Sequence, residues 1–233
     1  MVKFLIEEAE YKNAYKRKNL EFVICTNLTL LTEEKVRYLK KHHCYISTSL
    51  DGPEFLHNLN RPLQSGENYY ALFKKQVEMV RSVWGDCDCI SALMTTTKTT
   101  LDYITEVVDE YVSLGFNSIF IRSLNPYGFA KQRREQISYS VEDFLQSYKK
   151  GLDYIIDLNK KGTFFVEGFA ALLLRRILTP FATGFVDLQS PAGVGIACAI
   201  YDYDGNVFVS DEARMMARFK NYTFKLGNVN TDS

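Results

Sequence analysis

The chain has 233 residues, 46% of them hydrophobic, and its 28 basic and 28 acidic side chains leave a formal net charge of zero. A chain of this length and composition buries a sizeable core, as one domain or as a domain with a small appendage. The balanced charge provides no basic footprint for nucleic acid, and no apolar run approaches the roughly 18 residues of a transmembrane helix. We therefore expect neither a nucleic-acid nor a membrane partner.

The cysteines indicate the redox compartment. They are scattered without the spacing of a disulfide framework, and their number is odd: Cys25, Cys44, Cys87, Cys89 and Cys198. Such usage is typical of reduced thiols, so we expect a cytoplasmic protein.

The first half of the chain alternates between helical and strand-type apolar patterns, which predicts βα units around a parallel sheet. Helices are predicted over Val2–Arg17, from Thr32 to Lys41, over Tyr70–Trp84 and from Leu101 to a C-cap at Gly115. Strands are predicted over Leu20–Cys25, Tyr45–Ser49, Cys89–Met94 and Ser118–Leu124. Because each strand has room for a right-handed crossover helix, we expect the four strands to be parallel and adjacent in that order.

Repeats of this size build an open doubly wound sheet or a (β/α) barrel. No Gly-rich phosphate loop follows the first strand, which weakens the dinucleotide-binding alternative. In either fold the ligand groups lie at the carboxyl ends of the strands. The polar residues at those ends are Thr26, Asn27, Ser49, Asp51, Thr95 to Thr97 and Asn125.

The second half of the chain has a different pattern. Amphipathic helices are predicted over Val141–Leu158 and Phe169–Leu178, followed by a loop rich in Gly and Pro. A β-hairpin is predicted over 196–210, because Asp204-Gly205 readily supplies the positive φ angles of a tight turn. We expect an α/β fold with residues 1–135 as a partial (β/α) barrel and 136–233 as an α+β appendage that contains the hairpin.

Ser49, Asp51 and Arg61 form the best candidate binding constellation. An apolar strand ends abruptly at Ser49-Leu50-Asp51-Gly52-Pro53, and Asn60-Arg61-Pro62 follows. A hydroxyl, a carboxylate and a guanidinium together bind an amino-acid zwitterion and ribose hydroxyls through charge-assisted hydrogen bonds. The alternative is an Asp-Gly-Pro turn with a surface arginine.

These two segments resemble the fourth strand and loop of radical S-adenosylmethionine (SAM) enzymes, most closely the peptide-modifying maturases, including the sulfatase-maturating type. Residues 25–31 are similar to the third-strand Thr-Asn-Gly-Thr stretch, with Leu28 in place of the glycine. The resemblance implies a partial radical SAM barrel that binds SAM. Ser49 and Arg61 would contact its methionyl part, Asp51 would shape the loop, and Asn27 and Asn125 would face the same cleft.

Enzymes of this kind hold a [4Fe-4S] cluster on a Cys-x-x-x-Cys-x-x-Cys motif, which this sequence lacks. The closest pair, Cys87 and Cys89, offers two ligands where three are needed. Residues 190–210 resemble the auxiliary-cluster (SPASM) hairpin of the maturases, but Ser190 or Pro191 and Ser210 stand where cysteines occur. We therefore expect no cluster, no metal ligand and no catalytic residue in this chain.

A narrower resemblance concerns the maturases of the His-Xaa-Ser peptide system. It is carried by 125–130, 203–205 and 210–214. The family generates a 5′-deoxyadenosyl radical that abstracts hydrogen from a peptide or protein side chain. We expect the chain to be the downstream portion of such a maturase, separated by an internal start or a split gene and inactive alone. Its partners would be a peptide or protein substrate and the missing N-terminal portion or a partner maturase.

Two other functions remain open. One is a non-catalytic half-barrel that docks a partner or a peptide. The other is an unrelated cofactor-free barrel enzyme, although no acid/base pair stands out in the sequence.

Overall fold

The computed structural model describes residues 1–85, 88–124, 134–185, 188 and 193–232. The first part contains α1 (Val2–Lys16), β1 (Phe22–Cys25), α2 (Glu33–Lys41), β2 (Cys44–Ser49), α3 (Glu54–Asn60), α4 (Tyr69–Trp84), β3 (Ile90–Leu93), α5 (Lys98–Asp102), α6 (Ile104–Ser113) and β4 (Ser118–Ile119). The second part contains α7 (Arg134–Ile137), α8 (Val141–Lys160), β5 (Val166–Glu167), α9 (Gly168–Leu178), β6 (Ile200–Tyr201), β7 (Asn206–Phe208), α10 (Asp211–Ala217) and β8 (Lys225–Asn228). Among the described helices, none is long and apolar enough to cross a membrane.

The first three strands form a parallel sheet in the order β1-β2-β3. Cys25 lies opposite Ser47 in the register, and Ser49 lies opposite Leu93. The predicted order and direction of these three strands are confirmed. The register also brings the three strand ends to one edge of the sheet, where the βα loops begin.

The fourth predicted strand is much shorter than expected, and the expectation that it extends the sheet beside β3 is wrong. Of the predicted strand Ser118–Leu124, only β4 is a strand in the structure. It pairs in parallel with β5, a strand that the sequence analysis did not predict. Side chains take up the backbone groups that follow β4. The Ile121 N–H donates to Glu167 (2.9 Å), and the Leu124 N–H donates to the Tyr139 hydroxyl (2.6 Å). These backbone groups therefore bind side chains and not a neighbouring strand.

The helix ends follow the predicted local rules. Thr32 caps α2 by accepting a hydrogen bond from the Lys35 N–H. Gly115, at φ 71°, ends α6 in a Schellman motif, in which the Phe116 N–H donates to the Tyr111 carbonyl over 2.9 Å. The single helix predicted before Gly115 is instead two helices, α5 and α6, which meet at Tyr103.

The three-stranded sheet is covered on one face. Ile24, Ile46 and Ala92 point to the helices, whereas Val23, Tyr45 and Leu93 lie on the opposite face and are 60%, 49% and 50% exposed. Parallel sheets are usually covered on both faces, so this open face is unusual. The main core continues along the chain as far as Ile155 and Phe165.

The C-terminal elements form a separate antiparallel sheet in the order β6-β7-β8. The predicted hairpin is present but shorter than expected, with Gly205 at φ 83° in its turn. The third strand, β8, was not predicted. Phe208 and Ala213 are the buried hydrophobic side chains of this region.

Candidate functional site

The carboxyl edge of the three-stranded sheet brings the candidate residues together. Ser49 is the last residue of β2, Asn27 comes two residues after β1, and Thr95 comes two residues after β3. Because the strands are parallel and in register, their following loops leave from the same edge. Arg61 reaches this edge from the end of α3.

The fully buried Asp51 and the partly exposed Arg61 form an ion pair at this edge. Arg61 Nε donates to Asp51 Oδ2 over 2.7 Å, and Arg61 Nη2 donates to Oδ1 over 3.2 Å. The Thr95 N–H also donates to Asp51 Oδ1 (2.8 Å), and Arg61 Nη2 donates to the Thr95 hydroxyl (2.9 Å). Burial raises the pKa of the Asp51 carboxyl, while the Arg61 guanidinium and the Thr95 N–H oppose that shift. Asp51 thus joins the loops after β2 and β3 and orients Arg61.

Arg61 and Ser49 each keep a polar group that the hydrogen bonds of the site do not use. The Arg61 side chain is 29% exposed, and its Nη1 nitrogen has no hydrogen-bond partner within the part of the chain that the structure describes. No hydrogen bond joins the half-buried Ser49 hydroxyl to another of the described residues. A hydroxyl and one end of a guanidinium are therefore available to a ligand at the sheet edge.

The loop after β1 is tightly turned. The Asn27 side-chain oxygen accepts hydrogen bonds from the Thr29 N–H (3.3 Å) and the Thr29 hydroxyl (2.9 Å), as in an Asx turn. Leu28 has φ 65°, in the left-handed region that favours glycine, and its side chain is fully buried. This backbone conformation explains physically why a glycine suits the position, and burial of the leucine side chain offsets the strain.

Two residues of the site had no assigned role in the sequence analysis, His57 and Tyr69. His57 is fully buried, and its Nδ1 accepts a hydrogen bond from the Asp51 N–H over 3.2 Å. Burial, and secondarily the Arg61 charge, lowers the pKa of His57 to about 4, so the ring is neutral near pH 7. The Tyr69 hydroxyl donates to the Asn27 carbonyl (2.8 Å), and its ring packs on His57.

Several predicted positions lie outside the described residues: Cys87, Asn125, Ser190 and Pro191. The described thiols differ in setting, since Cys25 is exposed whereas Cys44 and Cys89 are buried. Within the described ranges, no three His, Cys, Asp or Glu side chains are arranged to hold a metal ion. The described cysteines therefore do not fit a cluster site that needs three thiolates. Ser210, for which the sequence analysis predicted a cysteine position of the maturases, caps α10 by accepting a hydrogen bond from the Ala213 N–H (3.2 Å).

Comparison with known proteins gives distant but extended similarity. No protein-family model matches the chain. It is 25% identical over 232 residues to an uncharacterized protein of Synechocystis sp., covering 96% of this chain and 54% of that protein. It is 22% identical over 212 residues to a cysteine-type anaerobic sulfatase-maturating enzyme of Clostridium perfringens, covering 88% of this chain and 53% of the enzyme. The chain therefore spans about half the length of these curated relatives.

Solved structures show the same fold. The chain superposes on native anSMEcpe with bound AdoMet with a TM-score of 0.77 at 20% identity, covering 99% of this chain and 60% of the other. For native anSMEcpe with bound AdoMet and Kp18Cys peptide the TM-score is 0.74 at 18% identity, covering 100% and 61%. Sequence and fold together indicate homology to radical SAM anaerobic sulfatase-maturating enzymes. The predicted resemblance to the sulfatase-maturating type is confirmed, whereas the His-Xaa-Ser assignment stays a prediction.

Proposed function

We propose that this chain forms the SAM-binding wall of a radical SAM enzyme that modifies a peptide or protein side chain. The observation that carries the proposal is the pair of unpaired polar groups, the Ser49 hydroxyl and Arg61 Nη1, at the carboxyl edge of the sheet. The fold similarity to SAM-bound enzymes supports the choice of ligand. We also propose residues 1–135 as the barrel part and 136–233 as the SPASM-like part of a cytoplasmic protein.

The methionyl part of SAM carries a carboxylate, an ammonium and a sulfonium. Arg61 Nη1 would donate to the carboxylate, because the Nε side of the guanidinium is already held by Asp51. The Ser49 hydroxyl both donates and accepts, so it suits either the carboxylate or the ammonium. The Asn27 amide nitrogen, and Asn125 beyond the described ranges, are proposed to line the same cleft. Asp51 keeps its role of holding Arg61.

A [4Fe-4S] cluster supplies the electron that cleaves SAM when it is bound. The Cys-x-x-x-Cys-x-x-Cys ligands would have to come from outside these 233 residues, because the sequence does not contain them. Reconstituted anaerobically with iron and sulfide, the chain alone is therefore expected to bind no stoichiometric cluster and to release no 5′-deoxyadenosine. A cluster-type absorption band with deoxyadenosine release would contradict the proposal. The substrate would be a peptide or protein, with the His-Xaa-Ser peptide system as the narrower hypothesis.

The direct test is equilibrium dialysis of the chain against radiolabelled SAM. We expect saturable binding, weakened roughly 2- to 12-fold by Ser49→Ala, since a neutral hydrogen bond contributes about 0.5–1.5 kcal/mol. Ser82→Ala is the matched control, because that exposed hydroxyl on α4 donates to the Met79 carbonyl far along the chain from the site. Equal affinity in Ser49→Ala and the control, or no saturable binding by the wild-type chain, would contradict the proposal.

A non-catalytic docking subunit is the second candidate function. The open face of the sheet favours it, because Val23, Tyr45 and Leu93 leave apolar surface uncovered there. Reading the gene upstream of Met1 separates the two candidates. An in-frame Cys-x-x-x-Cys-x-x-Cys favours the maturase, and its absence from the whole reading frame favours the docking subunit.

A further inference from the structure

His57 contacts the candidate site from within the core, through Asp51 and Tyr69. Its side chain is fully buried, and its ring lies against Tyr69, with centroids 4.8 Å apart, and against Phe73, with centroids 5.3 Å apart. An imidazole at such a position is either a core side chain that fills space or a group whose nitrogens hold something in place.

The hydrogen bond at Nδ1 determines the tautomer. The Asp51 N–H is a donor, so Nδ1 must be the unprotonated nitrogen, and the neutral ring carries its proton on Nε2. Nε2 is buried and has no hydrogen-bond partner among the described residues. A buried N–H without a partner is unfavourable. Either the hydrogen bond at Nδ1 or the packing of the ring must offset that cost.

The His57 ring contacts two residues that each hold a part of the site, Asp51 and Tyr69. Through the Asp51 backbone, His57 holds the residue whose carboxylate binds Arg61 Nε and Nη2. Through the face of Tyr69 it supports the hydroxyl that donates to the Asn27 carbonyl. His57 thus touches the supports of both loops without contacting a group that would meet a ligand.

We propose that His57 is the positioning residue of the candidate SAM site, where Nδ1 fixes the Asp51 backbone and thereby sets the direction of the Arg61 guanidinium. The identity of the ligand, SAM, rests on the proposed function. The effect of His57 on Arg61 rests on the hydrogen bonds alone. A histidine that served only to fill the core would leave Arg61 unaffected when its hydrogen bond is removed and its ring is kept.

Three substitutions separate the hydrogen bond from the packing. His57→Asn keeps an acceptor near the place of Nδ1 but loses the ring, His57→Phe keeps a ring without an acceptor, and His57→Gln moves the acceptor toward the place of Nε2. The readouts in the full chain are the ¹⁵N and ¹H signals of the His57 ring, of the Asp51 amide and of Arg61 Nε–H. Affinity for SAM and the urea midpoint are measured in parallel.

We expect the wild-type ring to show the Nε2–H tautomer and Arg61 Nε–H to exchange slowly. In His57→Phe and His57→Gln, the Arg61 Nε–H signal should move and exchange faster with water, and the affinity for SAM should fall about tenfold. In His57→Asn, the affinity for SAM should stay within about threefold of the wild-type value. An Nδ1–H tautomer in the wild type, or wild-type Arg61 signals in His57→Phe, would overturn the inference. If the wild-type chain binds no SAM, the proposed function fails, while the NMR signals still decide the role of His57.

Discussion

The sheet-edge region and the C-terminal region of this chain are stabilised in different ways. The first, β1 to α6, buries large side chains such as Phe73, Tyr111 and Ile104 in one continuous core. The second, β6 to β8 with α10, buries Phe208 and Ala213 and leaves Tyr201 and Tyr203 69% and 82% exposed. Its described side-chain hydrogen bonds join residues of the region itself, as in the bond from Asn228 to the Asp204 carbonyl. Cooperative stability, and with it the candidate site, therefore lies in the first region.

The largest expected effect comes from a matched pair of phenylalanines. Phe73→Ala in the main core should lower the free energy of unfolding by about 3–5 kcal/mol, as large core truncations do. Phe208→Ala removes an equally buried ring, yet it should leave the transition of the first region unchanged because that core does not include Phe208. Urea unfolding followed by fluorescence of Trp84, the single tryptophan, reports the first region. Equal shifts in both variants would show that the regions unfold as one unit.

A matched pair of arginines gives a comparable contrast. Arg61→Ala leaves the fully buried Asp51 carboxylate without its cation, which should cost about 3–5 kcal/mol. Arg218→Ala breaks a more exposed pair with Asp202, 3.4 Å apart, and should change the urea midpoint little because solvent screens that pair. Urea midpoints measure both. In a cluster-containing protein, Arg61→Ala should also weaken SAM binding by about 1.5–3 kcal/mol. The urea midpoint of the variant is measured first, so that loss of folding is separated from loss of binding.

Stability of the first region should also depend on pH through His57. Its pKa is about 4 in the folded chain and about 6.5 when unfolded, so between these values the unfolded chain binds more protons. Stability is therefore fully present above about pH 6.5 and falls by about 3 kcal/mol as the pH drops toward 4. His57→Asn should remove this part of the pH dependence, and the exposed His43→Asn should retain it. Identical pH profiles in the two variants would contradict the assignment to His57.

The smallest expected effect concerns two residues with left-handed backbone. Leu28 and Lys220 have φ 65° and 62°, but Leu28 is fully buried whereas Lys220 is exposed. Glycine relieves roughly 1 kcal/mol of backbone strain at either position. Leu28→Gly also loses a core side chain, so it should be destabilising by about 1–3 kcal/mol overall. Lys220→Gly should be neutral or stabilising by up to about 1 kcal/mol, and a destabilising result there would contradict the strain argument.

Local sequence patterns determined most of the first region. The alternation of apolar and polar residues was sufficient for β1, β2, β3 and their order, and Thr32 and Gly115 marked helix ends through hydrogen bonds within a few residues. The residue types at 49–53 and 60–62 were enough to point to the sulfatase-maturating enzymes. These features depend on neighbours in sequence or on one periodicity, which a single chain displays directly.

The contacts that hold the site together depend on the packed chain and are not visible in the local sequence. Asp51 and Arg61 were both candidates from the sequence, but their pairing and the contact with Thr95, 44 residues beyond Asp51, follow from strand register. Glu167 captures the Ile121 N–H from 46 residues away and so ends β4 early. The sequence places His57 in the loop after Pro53 with no catalytic role. Its ring is neutral because Tyr69 and Phe73 pack against it and bury it, and secondarily because of the Arg61 charge. Desolvation and long-range hydrogen bonds arise only when the chain is packed. A short stretch of sequence cannot predict them, because the residues involved are far apart along the chain.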